Sequence, residues 1–162
     1  MDLSKIKLII SEVDGVVTEH LTGVGEMNMV MFKQYYMKDF EAINEIKKHW
    51  KFAFLSSDAS ISLSMCKKRN IPFFHAERSK AEVYNKILPR YRVTADQVLY
   101  IGTSYWDIKC MKLSAASFCT EDSVTQVKNV ADIVLPYMGG TGVLCAVYDV
   151  LYSDLLQRQR QE

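Results

Sequence analysis

The chain has 162 residues, of which 49% are hydrophobic, enough for one domain with a single sizeable core. Its 20 lysine and arginine residues stand against 19 acidic residues, so the formal net charge is only +1. This balance argues against a nucleic-acid surface, because binding a phosphate backbone requires a basic excess on one face. No apolar run approaches the roughly 20 residues of a membrane span, and the N-terminus lacks a signal-peptide pattern. We expect a cytoplasmic protein that binds neither nucleic acid nor membrane.

The first part of the chain predicts a buried strand followed by a hairpin. Residues 5–13 form an apolar run that ends at Asp14-Gly15, a pattern typical of a buried strand that leads into a turn. Two apolar stretches then flank a glycine pair over residues 18–32, which predicts a β-hairpin flap. The alternating methionines of this flap indicate packing in a sheet or an interface rather than a cofactor site.

The remainder of the chain alternates between helix and strand patterns. Apolar residues at helical spacing predict a helix over residues 38–50, and the apolar run at 51–56 predicts a strand directly after it. Proline at position 89 is expected to end the helix that begins at residue 79. Further helices are predicted at 59–69, 79–88, 107–113, 123–129 and 143 to about 158, with strands at 71–74, 98–101, 116–119 and 132–135.

This alternation implies an α/β fold with a mostly parallel sheet and right-handed crossovers. Ligands of such sheets bind beyond the carboxyl ends of the strands, at a topological switch point. We therefore expect four loops to converge there, namely residues 12–15, 56–59, 75–80 and 102–107. The four cysteines form no CxxC pair and the three histidines no cluster, so neither a zinc site nor a disulfide framework is predicted. Buried free thiols are expected instead.

The four loops resemble the motifs of haloacid dehalogenase (HAD) phosphatases. Residues 12–18 read EVDGVVT, similar to the DxDGxxT signature, and residues 55–57 carry the hydroxyl-bearing second motif. Lys80 opens a predicted helix as the family lysine does, and residues 100–107 read YIGTSYWD against YIGDDxxD. The hairpin, the chain length and the Gly-Gly-Thr-Gly of residues 139–142 are most similar to the 3-deoxy-manno-octulosonate 8-phosphate phosphatase subfamily.

The resemblance covers nearly the whole chain and implies a Rossmann-like HAD fold without a large cap domain. It implies one domain over residues 1–162, with a flap at about 18–32 and a C-terminal helix and tail at about 143–162. Members of this subfamily are small, capless phosphatases that assemble as tetramers, with the hairpin between subunits. A homotetramer is therefore the expected assembly.

The family chemistry assigns a role to each matching position. An aspartate attacks phosphorus, the acid two residues later protonates the leaving group, and Mg²⁺ links the carboxylates to the phosphate. A hydroxyl and a lysine hold the phosphoryl oxygens. The resemblance thus implies Glu12 and Asp14 as catalytic residues, Ser56 and Lys80 as binders of phosphate or a sugar phosphate, and Glu12, the Asp14 carbonyl, Thr103 and Asp107 as the metal positions.

Several of these positions depart from the family pattern. Glu12 replaces the nucleophilic aspartate, Thr103 and Ser104 replace the two aspartates of GDD, and the terminal GGRGAVRE pattern reads GGTGVLCA at residues 139–146. Glutamate is longer by one methylene group, and a misplacement of about 1 Å can cost about a hundredfold in rate. A neutral threonine hydroxyl is a poor ligand for Mg²⁺.

Two functional hypotheses follow. The first is a HAD phosphatase-like protein with a degraded nucleophile and metal site, weak or no phosphatase activity, and a role in assembly, binding or regulation. The alternative is an active Mg²⁺-dependent phosphomonoesterase that acts on a sugar-acid phosphate such as a 3-deoxy-octulosonate or nonulosonate phosphate. If any metal is bound, Mg²⁺ is the expected ion.

Each candidate residue also has a structural interpretation. Glu12 and Asp14 can cap turns, and Lys80 can be a solvated lysine at a helix start. Ser56 can be an ordinary turn serine, with Ser57 as a rival for its role, and Asp107 can be an acid favoured in the first turn of a helix.

Overall fold

The strands and helices of the sequence patterns are present in a computed structural model, which describes residues 1–160 apart from the side chain of Asn28. The last two residues of the predicted tail lie outside the described residues. The strands are β1 (Leu8–Ser11), β2 (Gly23–Val24), β3 (Val30–Phe32), β4 (Lys51–Ser56), β5 (Phe73–His75), β6 (Val98–Ile101), β7 (Ala116–Thr120) and β8 (Ile133–Leu135). The helices are α1 (Met37–Ile46), α2 (Ser62–Lys68), α3 (Lys80–Tyr91), α4 (Ile108–Leu113), α5 (Thr125–Lys128) and α6 (Val143–Gln159).

Six strands form one parallel sheet in the order β5-β4-β1-β6-β7-β8, which confirms the predicted α/β class. The chain moves from β1 toward one edge through β4 and β5, and returns to β6 before it moves toward the other edge. The topological switch point therefore lies between β1 and β6. Their carboxyl ends are joined beyond the strands by a hydrogen bond of 2.9 Å from the Glu12 N–H to the Ile101 carbonyl.

Apolar side chains cover the sheet on both faces, as expected for a parallel sheet. All four residues of β1 are buried. Ile9 of β1 packs in one cluster with Ile43 of α1 and Val147 of α6. Ile10, on the opposite face, packs with Tyr84 of α3. This core fixes the positions of the strands whose ends carry the candidate site.

The predicted flap is present as a small hairpin apart from the main sheet. Strands β2 and β3 pair antiparallel, and a single 3₁₀ turn at Glu26–Asn28 joins them. The strands are much shorter than the apolar stretches that predicted them. The methionine side chains are exposed rather than packed within the chain, and Met27 is 88% exposed.

Proline 89 does not end its helix, so the predicted helix end at residue 88 is wrong. Helix α3 continues to Tyr91 and ends where Arg92 adopts a left-handed conformation with φ of 54°. A proline removes the hydrogen bond to the carbonyl four residues earlier, which here belongs to Asn85. Both Asn85 and Pro89 are exposed, so water can satisfy that carbonyl.

The cysteines are free, as expected, and Cys66, Cys110 and Cys119 are buried whereas Cys145 is half-buried. No helix within residues 1–160 is long and apolar enough to cross a membrane.

Helix α6 receives its N-terminal cap from another helix. Its own cap residue, Gly142, has no side chain to accept the first helical N–H groups. Asp39 of α1 supplies the acceptor, because its Oδ1 accepts from the N–H groups of Leu144 at 2.9 Å and Cys145 at 3.1 Å. The Oδ2 atom of this fully buried carboxyl has no hydrogen-bond partner among the described residues.

Burial raises the pKa of Asp39 from 3.8 to about 6, although the N–H groups of Cys145 and Leu144 partly oppose the shift. Between about pH 4 and 6 the folded chain holds a proton that the unfolded chain has released, so this group's contribution to stability is lost as pH rises through about 6. Asp39→Asn keeps the hydrogen-bond acceptor but removes the charge. We therefore predict that the free energy of unfolding of this variant, relative to that of wild type, is higher at about pH 8 than at about pH 5. Urea unfolding at both pH values measures this change.

The exposed acid Asp149, on the same helix α6, provides the control. Asp149→Asn removes one exposed negative charge from α6 and is measured at the same two pH values. An Asp39→Asn variant whose stability difference from wild type is the same at both pH values would contradict the assignment.

Candidate active site

All four predicted loops meet at the carboxyl edge of the sheet, and the loop after β4 joins the loop before α3 through a hydrogen bond of 2.9 Å from the Ala76 N–H to the Ser56 carbonyl. The loop after β1 carries Glu12 and Asp14, the loop after β6 carries Thr103 and Asp107, and α3 begins with Lys80. Lys80 contacts the first two loops, because its ammonium forms ion pairs with Glu12 and Asp107. The predicted convergence is thus present at the switch point between β1 and β6.

The Lys80 ammonium is a buried bridge between two carboxylates. Its Nζ contacts Glu12 Oε2, and it lies 2.6 Å from Asp107 Oδ1. The Lys80 side chain is 2% exposed, and Glu12 and Asp107 are 6% and 0% exposed. The alternative of a solvated lysine at a helix start is therefore wrong. A buried charge needs paired, hydrogen-bonded partners, and this lysine has two.

Asp107 has both carboxylate oxygens occupied by donors of its own chain. Its Oδ1 accepts from the Tyr100 hydroxyl at 2.8 Å as well as from Lys80. Its Oδ2 accepts from the Thr103 N–H at 3.0 Å and from both the N–H and the hydroxyl of Ser104 at 2.9 Å. Burial, together with the charge of Asp107, raises the pKa of Tyr100 well above its usual value, so this hydroxyl stays neutral and donates. Asp107 thus anchors the loop after β6.

Glu12 is engaged in the same way. Its Oε1 accepts the Val13 N–H at 2.8 Å, and its Oε2 pairs with Lys80. The side chain that aligns with the family nucleophile is consequently held by the side chain that aligns with the phosphate-binding lysine.

Asp14 belongs to a second ion-pair group that includes the hairpin. Its two oxygens lie 2.8 and 2.9 Å from the Nζ of Lys33, which follows β3 directly. The same Nζ lies 2.7 Å from Asp58, in the loop after β4. Burial alone would lower the pKa of Lys33, but Asp14 and Asp58 outweigh it and raise the pKa. Burial alone would raise the pKa of Asp58, but Lys33 and the Ser60 N–H lower it to about 2.

Ser56 is buried at the end of β4, but its hydroxyl serves its own loop. It accepts the Asp58 N–H at 3.3 Å, and no hydrogen bond joins it to Glu12, Asp14 or Lys80 in the described structure. The neighbouring Ser57 instead lines a small cavity next to Lys80. The structural interpretation of Ser56 as a turn serine thus describes the geometry.

The cavity beside Lys80 has a volume of about 230 Å³. Trp106 forms one wall and is 68% exposed, while Tyr105 next to it is 59% exposed. Both aromatic side chains therefore face solvent and lie outside the hydrophobic core. The cavity is lined by Ser57, Ala76, Glu77, Arg78, Lys80 and Trp106.

The donor groups at the implied metal positions do not fit Mg²⁺. Mg²⁺ requires near-octahedral oxygen ligands and dehydrates reluctantly. Here the oxygens of Glu12 and Asp107 already accept donors of the chain, and Thr103 offers a neutral hydroxyl that itself donates to the Asp14 carbonyl. Within the described part of the chain, no group of three or more His, Cys, Asp or Glu residues is placed to hold a metal ion.

Two residues of this edge, Lys33 and Asp58, were not predicted from the sequence. Lys33 is a lone basic residue between the apolar end of the flap and a pair of tyrosines, which was an available signal for a buried partner. Asp58 lies within a loop that was expected to converge, but only its serines were singled out. Lys33 pairs with Asp14, 19 residues earlier, and with Asp58 in another loop, so no single sequence motif contains the group.

Comparison with known proteins identifies the family. The family model for haloacid dehalogenase-like hydrolases matches residues 13–147. The chain belongs to this family. Its sequence is 27% identical, over 165 residues, to the 3-deoxy-D-manno-octulosonate 8-phosphate phosphatase KdsC of Haemophilus influenzae, covering 92% of this chain and 84% of the relative. The subfamily resemblance of the motifs is thereby confirmed.

Solved structures agree with the fold. The cobalt-bound form of the Haemophilus influenzae phosphatase superposes with a TM-score of 0.87 at 28% identity, covering 94% of this chain and 90% of the other. The phosphatase of Moraxella catarrhalis, in complex with a magnesium ion, a phosphate ion and a 3-deoxy-octulosonate (KDO) molecule, gives a TM-score of 0.86 at 17% identity, covering 94% and 88%. At that identity the second structure supports the fold alone.

The buried bridge predicts a large stability loss in Lys80→Met. This variant keeps the volume of the side chain but leaves Glu12 and Asp107 buried without their counter-ion, which typically costs about 3–5 kcal/mol. Lys48→Met is the matched control, because Lys48 pairs with Glu45 at the solvent-exposed surface and its replacement should leave stability almost unchanged. Equal unfolding midpoints in urea for Lys80→Met and wild type would show that the bridge contributes nothing to stability.

Proposed function

We propose that this chain is a HAD phosphatase-like protein with weak or no phosphatase activity that serves in assembly, binding or regulation. The observation that carries the proposal is the direct pairing of Glu12 with Lys80. In the family chemistry these two positions act on the same phosphate from different sides. A nucleophile neutralised by the phosphate-binding lysine, and buried with it, is poorly placed for in-line attack.

The electrostatics of the site also oppose binding of a phosphate. Four carboxylates surround two ammonium groups, so the cluster carries two net negative charges. Without a divalent cation, a phosphate dianion that approaches this cluster is repelled. The carboxylates are Glu12, Asp14, Asp58 and Asp107, and the ammonium groups are those of Lys33 and Lys80.

A phosphatase assay tests the proposal. We expect wild type to show no Mg²⁺-dependent hydrolysis of a generic phosphomonoester above the level of Asp14→Asn. The double variant Glu12→Asp/Thr103→Asp restores the length of the nucleophile and the charge of the metal site, and it should show partial activity. Release of inorganic phosphate, with and without EDTA, is the measurement.

Clear phosphatase turnover by wild type that is abolished in Asp14→Asn would contradict the proposal of weak or no activity. Asp14→Asn is the appropriate reference because it keeps the size of the side chain and removes the acid that protonates the leaving group in the family mechanism.

The assembly part of the proposal is supported by the exposed apolar hairpin. Several large apolar side chains of this one short segment are exposed, and their burial against a partner would be favourable. In line with the subfamily resemblance, we propose a homotetramer in which the hairpin packs between subunits. The exposed apolar side chains are Leu21 (81%), Val24 (54%), Met27 (88%), Met29 (59%), Met31 (65%) and Phe32 (57%).

Charged substitutions on the hairpin should dissociate the assembly. Met27→Glu/Met29→Glu places two charges in the patch at positions that make few contacts within the chain, so we expect a folded species of lower mass by light scattering. Leu113→Glu, at an exposed apolar position on α4 (41%), is the control and should leave the mass unchanged. Wild type that is monomeric at micromolar concentration would count against the tetramer.

One observation favours the alternative of an active enzyme. The Asp14 side chain is 31% exposed, so the residue that aligns with the acid/base can be reached from solvent. In this alternative Glu12 acts as nucleophile, Ser56 and Lys80 hold the phosphate of a sugar-acid phosphate, and Mg²⁺ is the cofactor. This alternative requires the ion pair between Glu12 and Lys80 to break when substrate binds. The phosphatase assay described above distinguishes the two functions.

A further inference from the structure

One hydrogen bond joins the loops after β1 and β6 at the point where the family pattern implies a metal ion. The Thr103 hydroxyl donates to the carbonyl oxygen of Asp14 at 3.2 Å. Thr103 is 1% exposed, so little water competes for this contact. The two residues are 89 positions apart in the chain, so the bond is a tertiary link rather than a local turn.

The family pattern assigns both of these groups to the metal. An ion at that place would hold the two loops together by binding the Asp14 carbonyl and an aspartate at position 103. Here the hydroxyl at 103 reaches the carbonyl by itself. We infer that the Thr103 hydroxyl replaces a divalent ion as the link between the two loops, and that the folded chain neither requires nor binds Mg²⁺ at this edge.

The other side chains at the implied metal positions, Glu12 and Asp107, are also occupied by groups of the chain. Asp107 is held on its two oxygens by five donors of the chain, so it has no free oxygen to turn toward an ion. Close packing also restricts its movement, because a Cβ added at Gly102 would lie 2.5 Å from the Asp107 Cβ. Glu12 is neutralised by Lys80. An ion would have to break several buried hydrogen bonds and an ion pair to gain its ligands.

The inference rests on the proposed function, because both use the same alignment of this chain with the family's metal positions. It concerns ion binding and the joining of loops, whereas the proposed function concerns turnover. Metal binding without phosphate release would overturn only the inference. Mg²⁺-dependent turnover in wild type would overturn both.

The experiment compares variants at position 103 by thermal unfolding in EDTA and in millimolar Mg²⁺, with Mn²⁺ binding followed by electron paramagnetic resonance. Thr103→Ser keeps the donor, Thr103→Val keeps the shape but removes it, and Thr103→Asp restores the family ligand. Thr120→Asp is the matched control, because Thr120 is a buried threonine at the end of the neighbouring strand β7.

Wild type and Thr103→Ser should have the same melting temperature in EDTA and in Mg²⁺, and neither should bind Mn²⁺. Thr103→Val should melt at a lower temperature than Thr103→Ser, equally in both conditions, because the carbonyl of Asp14 loses its donor. Thr103→Asp should melt lower in EDTA, since it adds a buried charge beside Glu12 and Asp107, and it should recover in Mg²⁺. Thr120→Asp should be destabilised without recovery.

A wild-type melting temperature that rises in Mg²⁺, or stoichiometric Mn²⁺ binding by wild type, would overturn the inference. A Thr103→Val variant as stable as Thr103→Ser would also overturn it. So would a folded Thr103→Asp variant whose melting temperature is the same in EDTA and in Mg²⁺. If Thr103→Asp does not fold, the wild-type titration and the comparison of serine with valine decide the question.

Discussion

The Lys80 bridge is the interaction on which the candidate site depends. An ammonium and two carboxylates are buried at the switch point of the sheet, and none of them is tolerated there without the others. Through Glu12 the bridge fixes the end of β1, through Asp107 it fixes the loop after β6, and through Lys80 itself it fixes the start of α3. The Lys80 bridge therefore holds the edge of the sheet together, in addition to carrying the groups that align with the family's catalytic residues.

Around this bridge, the polar groups that would contact a ligand in the family chemistry form hydrogen bonds and ion pairs within the chain. Lys33 links the hairpin to Asp14 and Asp58, and Thr103 links the two central loops. In the proposed function, these internal ion pairs and hydrogen bonds take the places of the ligand and the ion. It also joins the exposed hairpin, the expected assembly surface, to the acidic centre through one buried lysine.

Sequence reasoning succeeded where the physical rule was general. Carboxyl ends of parallel strands meet at one edge, so Glu12 and Asp107 were expected together. It failed where a local rule competed with context. Pro89 was expected to stop a helix, but its lost hydrogen bond falls on an exposed turn.

By itself, the sequence determined the fold class, the family and the loops that form the site, because apolar periodicity and motif spacing are properties of short segments. It also showed that position 12 carries a glutamate and position 103 a threonine. Only the tertiary structure decided what those changes mean. Whether a carboxylate is free to act depends on the donors that surround it. The partner of Glu12, Lys80, is 68 residues away in the sequence, and the partner of Asp14, Lys33, is 19 residues away beyond the hairpin.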